Sequence, residues 1–186
     1  MKLDRAQQFA AAIVGRLSPH CDRIAVGGSV RRQRPEVGDI EVVAIPATVP
    51  GVPSLFGAGP LVRDQRFVEI VDSWGHVKGD ALAGRYMQRI ITAEDLDIEG
   101  EDSIALDLFV ADVDNFGHIL AIRTGSAEYS RQVLAGGWVR AGYRSRDGYL
   151  RADLGTGDIV PVREERDLFE LIGIPWAEPE MREVMA

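Results

Sequence analysis

Gly27-Gly28-Ser29-Val30-Arg31-Arg32-Gln33-Arg34-Pro35-Glu36-Val37-Gly38-Asp39-Ile40-Glu41 is the stretch on which the reading of this chain turns. Ile24, Ala25 and Val26 run into it as a short buried strand, and Gly-Gly-Ser then opens a turn of helix. Backbone N–H groups at a helix start lack intrahelical partners and carry partial positive charge, which suits a phosphate. Glycine lets the backbone come close to such a group. Arg31 and Arg32 follow within one turn, and Asp39 and Glu41 stand two apart on a second strand that runs to Ile45. Strand side chains alternate, so both carboxylates leave the same face. Two such acids repel unless a cation lies between them, and Mg2+ is the oxygen-seeking cation that the pair and a substrate phosphate would share. Taken singly, each half also reads as bland, a glycine turn and an edge strand with polar residues outward. Joined in one segment, they point to function.

Working outward, Ile104-Ala105-Leu106-Asp107-Leu108-Phe109-Val110 is a strand apolar on both faces except at Asp107. Burying an unpaired carboxylate costs several kcal/mol, so Asp107 needs a partner. A metal shared with Asp39 and Glu41 is the simplest one, and an arginine such as Arg89 is the alternative.

The chain has 186 residues, 46% of them hydrophobic and 27% charged, enough apolar content for a core of one medium domain or two small ones. That share excludes intrinsic disorder. No apolar run reaches the roughly 18 residues that span a bilayer, so no membrane partner is expected. The N-terminus lacks an apolar signal stretch. Cys21 is the single cysteine and cannot form an internal disulfide. A protein of a reducing cytosol, cytoplasmic in location, is the expectation. The net charge of −8 is the wrong sign for a protein that simply coats nucleic acid. The average hides a pattern: residues 94–114 carry nine acids and no base, and residues 123–151 carry six arginines against Glu128 and Asp147.

Leu3, Ala6, Phe9, Ile13 and Leu17 step by three or four, which predicts an amphipathic helix over 4–17. The four prolines of 46–60 predict a loop, and Phe67, Val68, Ile70 and Val71 a helix over about 61–73. Tyr86 to Ile91 reads as a strand followed by an acidic turn, Thr124 to Leu134 as a helix, and the glycine-rich 136–160 as short strand-like pieces. Glu164 to Ile172 reads as a short helix stopped by Gly173 and Pro175. A boundary falls near 112–120 with no long linker, so the two parts are expected to pack closely.

At this point the chain resembles a known family. Gly-Ser-x-Arg-Arg, then Gly-Asp-x-Glu, then a lone strand aspartate, is similar to the palm signature of the DNA polymerase beta-like nucleotidyltransferases. Thr124-Gly125-Ser126 resembles the Thr-Gly-Ser turn of DNA polymerase family X. The run from Glu165 through Ile174-Pro175-Trp176 and Glu178-Pro179 to Arg182 resembles that family's C-terminal ending. The resemblance spans essentially the whole chain. It implies an α+β fold, with a nucleotidyltransferase palm of a mixed β-sheet flanked by helices over 1–117 and a small α+β thumb over 118–186.

The resemblance also implies a template-directed DNA polymerase that adds deoxynucleotides to a primer 3′-hydroxyl by two-metal-ion catalysis, in repair or gap filling. Asp39 and Glu41 would bridge two Mg2+ ions, with Mn2+ able to substitute, and Asp107 would bind the catalytic one alone. Gly28, Ser29, Arg32 and the backbone at Gly38 match positions that grip the triphosphate, and Gly125 and Ser126 the turn under the sugar. The implied partners are a deoxynucleoside triphosphate and primer-template or gapped DNA. Nothing in the sequence suggests an obligate interface, so a monomer is expected.

The departures bear on this. Glu41 replaces the usual second aspartate, which keeps the ligand type and changes the metal geometry. Ile122 and Arg123 replace two aromatics, Ser130 an asparagine at the base edge, and Leu134 a template-contacting arginine. The expectation is a chain that starts at the palm, without the family's lyase domain or helix-hairpin-helix grips, a minimal form similar to the small viral members. With an acidic chain, weak and salt-sensitive DNA binding is expected. The alternative is a template-independent nucleotidyltransferase acting on a nucleic acid end or a protein. A catalytically dead DNA-binding clamp is disfavoured by the presence of all three carboxylates.

His20, His76 and His118 show no ligand spacing and read as surface or loop residues rather than metal ligands. Cys21 beside His20 has no orienting acid and does not read as a nucleophile. The tryptophans read as packing residues. Tyr143, Arg144 and Tyr149 fall on expected hairpins in the basic stretch, where they could line a duplex.

Overall fold

The computed structural model describes residues 1–52, 59–152 and 157–184. The helices are α1 (Leu3–Leu17), α2 (Gly28–Arg31), α3 (Gln65–Ser73), α4 (Phe116–Thr124), α5 (Ala127–Tyr129), α6 (Gly136–Arg140) and α7 (Glu165–Leu171). The strands of the first half are β1 (Cys21–Val26), β2 (Asp39–Pro46), β3 (Thr48–Pro50), β4 (Leu61–Arg63), β5 (Gly75–Lys78), β6 (Tyr86–Thr92) and β7 (Ser103–Val110). Those of the second half are β8 (Tyr143–Arg146), β9 (Tyr149–Ala152) and β10 (Ile159–Val160). The fold is mixed α+β, as the sequence led us to expect.

Five strands form one sheet in the order β1-β2-β7-β6-β5. Only β2 and β7 are parallel; the other pairs are antiparallel. Alternation explains the two faces. Ile40, Val42 and Ala44 of β2, Leu106 and Leu108 of β7, and Met87 and Ile91 of β6 point one way and are buried under Phe9, Ile13 and Leu17 of α1 and Phe67 and Val71 of α3. Asp39, Glu41, Asp107, Tyr86 and Gln88 belong to the opposite face. Farther along that face α4 lays Phe116 and Leu120 on Val43 and Phe109. The second half has its own core of Tyr129, Leu134, Leu150, Val162, Leu168, Phe169 and Ile172, which Ala121 of α4 joins.

Several expectations are corrected. The helix over 61–73 starts later, because Leu61 and Val62 pair with Pro50 and Val49 as strands and Asp64 caps the helix. The Asp64 carboxylate accepts from the N–H groups of Arg66 (2.7 Å) and Phe67 (3.2 Å), satisfying two orphan donors. The loop reading of 46–60 holds only in part, since Thr48–Pro50 is a strand; residues 53–58 lie outside the described ones. The helix over 124–134 is broken at Gly125-Ser126. Before the break lies α4, which no apolar stripe announced because it is buried on several sides between the two halves. After it, α5, a π-helical stretch Ser130–Ala135 and α6 run on, so 136–140 is helical. His118 is wholly buried rather than on the surface. Cys21 fits its reading, since burial pushes its thiol up to about 12. Trp74 and Trp176 pack as expected, Trp176 against Phe169 at 5.0 Å.

Candidate active site

The site is built at the register of two parallel strands. In the β2–β7 ladder Glu41 stands directly opposite Asp107, and Asp39 opposite Ala105. The i, i+2 spacing puts Asp39 and Glu41 on one face, and strand pairing brings Asp107 to the same face beside them. The Gly27-Gly28 turn folds back over this spot: the Gly27 N–H donates to the Glu41 carbonyl at 2.8 Å. Gly28 has φ +61°, and a Cβ there would lie 2.3 Å from Glu41 Oε2. Only glycine combines that backbone with that approach. Ser29 follows, with its Oγ buried and without a partner among the described residues.

The electrostatics are those of an acid cluster without enough neutralising charge. Burial first, and the nearby charge of Asp107 second, raise the Asp39 carboxyl above its ordinary range. Burial and then Asp39 push Glu41 up to about 7, against the opposing pull of Arg123. Asp107 has the neutral donors that its strand requires. Tyr86 Oη (2.9 Å) and Gln88 Nε2 (2.8 Å) both donate to its Oδ1. Gln88 is its cross-strand partner in β6. Both bonds converge on one oxygen, which leaves Oδ2 for another partner. The Tyr86 hydroxyl is itself held up to about 12, by burial and by this bond.

Arg89, the alternative partner of Asp107, does not reach it. Its guanidinium is buried on the other face, where it donates to the Val71 carbonyl (2.9 Å) and to Asp72 (3.1 Å). Tyr86 and Gln88 were the residues that sequence reasoning missed. Their two-residue spacing on an adjacent strand was visible, but their register against Asp107 was not.

The remaining site residues are placed as follows. Arg32 donates to Glu183 (2.8 Å) and to the Thr124 carbonyl (2.8 Å), so it links the turn to the chain's end. Arg31 donates to Thr124 Oγ1 (2.7 Å) and to Glu165 (2.5 Å), and Glu165 also binds the buried Arg182 (2.5 Å). Gly125 ends α4, and the Ser126 hydroxyl caps α5 by accepting from the Tyr129 N–H at 3.1 Å. Gly38 is exposed, and a Cβ there would meet nothing within 4 Å. Arg123 reaches back over the Phe109 ring, 4.0 Å from its centroid.

The donor set of the carboxylates is three hard oxygen ligands beside a glycine cradle and an unpartnered buried hydroxyl, which suits a divalent cation that carries a phosphate. Among the described residues, no group of three His, Cys, Asp or Glu side chains stands close enough to hold an ion as the side chains now lie.

A mixed sheet with carboxylates on two parallel neighbours, next to a Gly-Ser turn, is the class of site that the fold defines. Residues 119–183 match the family model described as DNA polymerase beta thumb. That segment, about a third of the chain, upholds the resemblance to DNA polymerase family X. No curated protein matches the chain. Among the described residues, no helix is long and apolar enough to cross a membrane.

Proposed function

We propose that the protein is a nucleotidyltransferase, and specifically a template-directed DNA polymerase of the family X type, with a palm over 1–117 and a thumb over 118–186. The observation that carries this reading is the pairing of Glu41 with Asp107 across parallel strands, with Asp39 on the same face and the Gly28-Ser29 turn against Glu41. Asp39 and Glu41 would hold two Mg2+ ions, and Asp107 would help to hold one of them. When bound, those ions lower the pKa of a primer 3′-hydroxyl and offset charge on the triphosphate. The Ser29 hydroxyl and nearby backbone N–H groups donate to phosphate oxygens. Arg32 keeps positive charge beside them while Glu183 and Thr124 fix its orientation. Gly125 and Ser126 shape the turn under the sugar. Positioning and charge stabilisation account for most of the rate in such a transfer.

One observation favours a second reading, untemplated addition to a nucleic acid end. The Ser130 hydroxyl donates to the Ile122 carbonyl at 2.8 Å, and Leu134 is fully buried, so neither side chain is presented to a template or base. Primer extension with Mg2+, run with and without template, decides. Templated incorporation supports the polymerase, and ladders on single strands the second reading. No extension of either kind overturns both. Asp107→Ala is expected to abolish extension while triphosphate binding survives; activity above a few per cent would remove Asp107 from the metal set.

A further inference from the structure

A cavity of about 640 Å³ lies where the far end of β7, α4 and the β8–β9 hairpin meet. None of the three carboxylates lines it, and Arg123, whose charge also acts on Glu41, is the residue shared with that site. Phe109, Val110, Ile119 and Ile122 supply an apolar side. Arg85, Arg123 and Arg151 supply three guanidinium groups. Asp147 is the one acid among the lining residues, and its exposed carboxylate lies 3.5 Å from Arg146.

The polar groups here are also short of partners. Five buried side-chain polar atoms lack a hydrogen bond among the described residues, and three belong to this region: His118 Nδ1, Arg151 Nε and Asn115 Nδ2. His118 and Arg151 line the cavity. Asn115 Nδ2 stands 3.6 Å from where a Cβ on the lining residue Gly148 would sit, beside Arg85 Nη1 at 3.7 Å. Gly148 is at φ +81° in the hairpin turn, so a side chain is disfavoured at this opening. The buried His118 ring is neutral near pH 7, its pKa pushed down to about 4 by burial. Its Nε2 and the Ser145 hydroxyl share a hydrogen bond at 2.9 Å, which leaves Nδ1 as the ring atom that faces no protein partner among the described residues. A buried donor left unpaired costs about 1–3 kcal/mol. The partner that answers the unpaired donors of Asn115 and Arg151 and three guanidinium groups is an anion rich in acceptor oxygens.

The aromatic groups complete the case. Arg123 covers Phe109 at 4.0 Å, and Arg85 and Arg151 lie 5.2 and 5.9 Å from the Tyr149 ring. Guanidinium charge beside flat apolar surface is the recognition chemistry of a phosphate joined to a planar ring. The volume falls within the range of about 300–1,000 Å³ typical of small-ligand sites. We propose that this cavity is a second nucleotide-binding site, which takes a nucleoside monophosphate without a metal ion, either free or as the 5′-phosphorylated end of a strand. The proposal needs no reaction at the carboxylates and stands or falls apart from the polymerase reading.

The test is calorimetric titration of the whole chain in EDTA with dAMP, with deoxyadenosine, and with a 5′-phosphorylated single-stranded tetranucleotide. Binding of dAMP identifies a free nucleotide, and binding of the tetranucleotide alone identifies a strand end; either supports the site. Deoxyadenosine is expected to bind at least tenfold more weakly. Arg151→Gln is expected to weaken the phosphorylated ligand at least tenfold and Asp39→Asn to leave it unchanged. Arg85→Gln, at an exposed position, serves as the second variant should Arg151→Gln not fold. No binding in EDTA, equal binding by both arginine variants, or loss of binding in Asp39→Asn overturns the proposal.

Discussion

Glu41 is the site carboxylate whose surroundings oppose its charge most. Its folded pKa of about 7 lies above the ordinary 4.5, so the folded chain holds this proton more tightly than the unfolded chain. The stabilisation is therefore complete below about pH 4.5, falls as the pH rises, and is spent above about 7. Without divalent ions, the melting temperature of wild type is expected to fall over that window more steeply than that of Glu41→Gln, and Mg2+ is expected to flatten the difference. Parallel melting curves for the two chains would mean that Glu41 titrates normally. Asp107 offers a second experiment at this scale. Tyr86 and Gln88 hold its Oδ1 and thereby aim Oδ2. Groups that orient a metal ligand typically affect affinity by about 10- to 100-fold. Tyr86→Phe combined with Gln88→Leu is expected to weaken Mn2+ binding about tenfold, read by electron paramagnetic resonance without nucleotide. Unchanged affinity would assign the pair to strand packing alone.

At the scale of elements, the decisive contact is between the Gly27-Gly28 turn and β2. The turn lies so close that Glu41 Oε2 occupies the place of a Gly28 Cβ. Gly28→Ala must bear both a left-handed backbone, at about 1–2 kcal/mol, and displacement of the Glu41 carboxylate. It is expected to lower thermal stability and to abolish nucleotide transfer. The contrasting variant is Gly38→Ala, where a Cβ would meet nothing; it is expected to keep the fold. The strands themselves were legible in the sequence because apolar residues alternate with the site residues along β2 and form a run in β7 interrupted only at Asp107. Helix α4 was not, because it is covered by β2 on one side and α7 on another, and such a helix has no polar stripe to announce its period. The start of α3 was missed because strand β4 continues its apolar run and only the Asp64 cap marks the change.

At the scale of the whole molecule, a buried ion chain ties the two halves together. Arg31 of α2 binds Glu165 of α7, which also binds Arg182 near the chain's end, and Glu165 and Arg182 are almost entirely buried. Removing one member of such a chain leaves uncompensated charge, at about 3–5 kcal/mol. Glu165→Ala is expected to lower the unfolding free energy by about that amount in chemical denaturation. A loss below about 1 kcal/mol would show that water reaches the arginines and takes over their hydrogen bonds. Because Arg31 sits next to Arg32 and two residues from Ser29, the same bonds hold the phosphate-facing turn in register with the second half.

The amino-acid sequence by itself determined the α+β class, the candidacy of Asp39, Glu41 and Asp107, the Gly-Ser turn and the Thr-Gly-Ser and C-terminal motifs. The carboxylates and the Gly-Ser turn are written in local spacing, where alternation along a strand or glycine before a helix start has a direct physical consequence; the α+β class and the other two motifs are what the family resemblance implies. Only the tertiary structure decided that Glu41 faces Asp107 and that Tyr86 and Gln88, not Arg89, satisfy that carboxylate. It alone joined Arg31, Glu165 and Arg182, and gathered Asn115, His118 and Arg151 around one cavity. Those pairings depend on strand register and on how the two halves close. Register and closure are set by burial summed over many residues far apart in the chain, so no short stretch carries them.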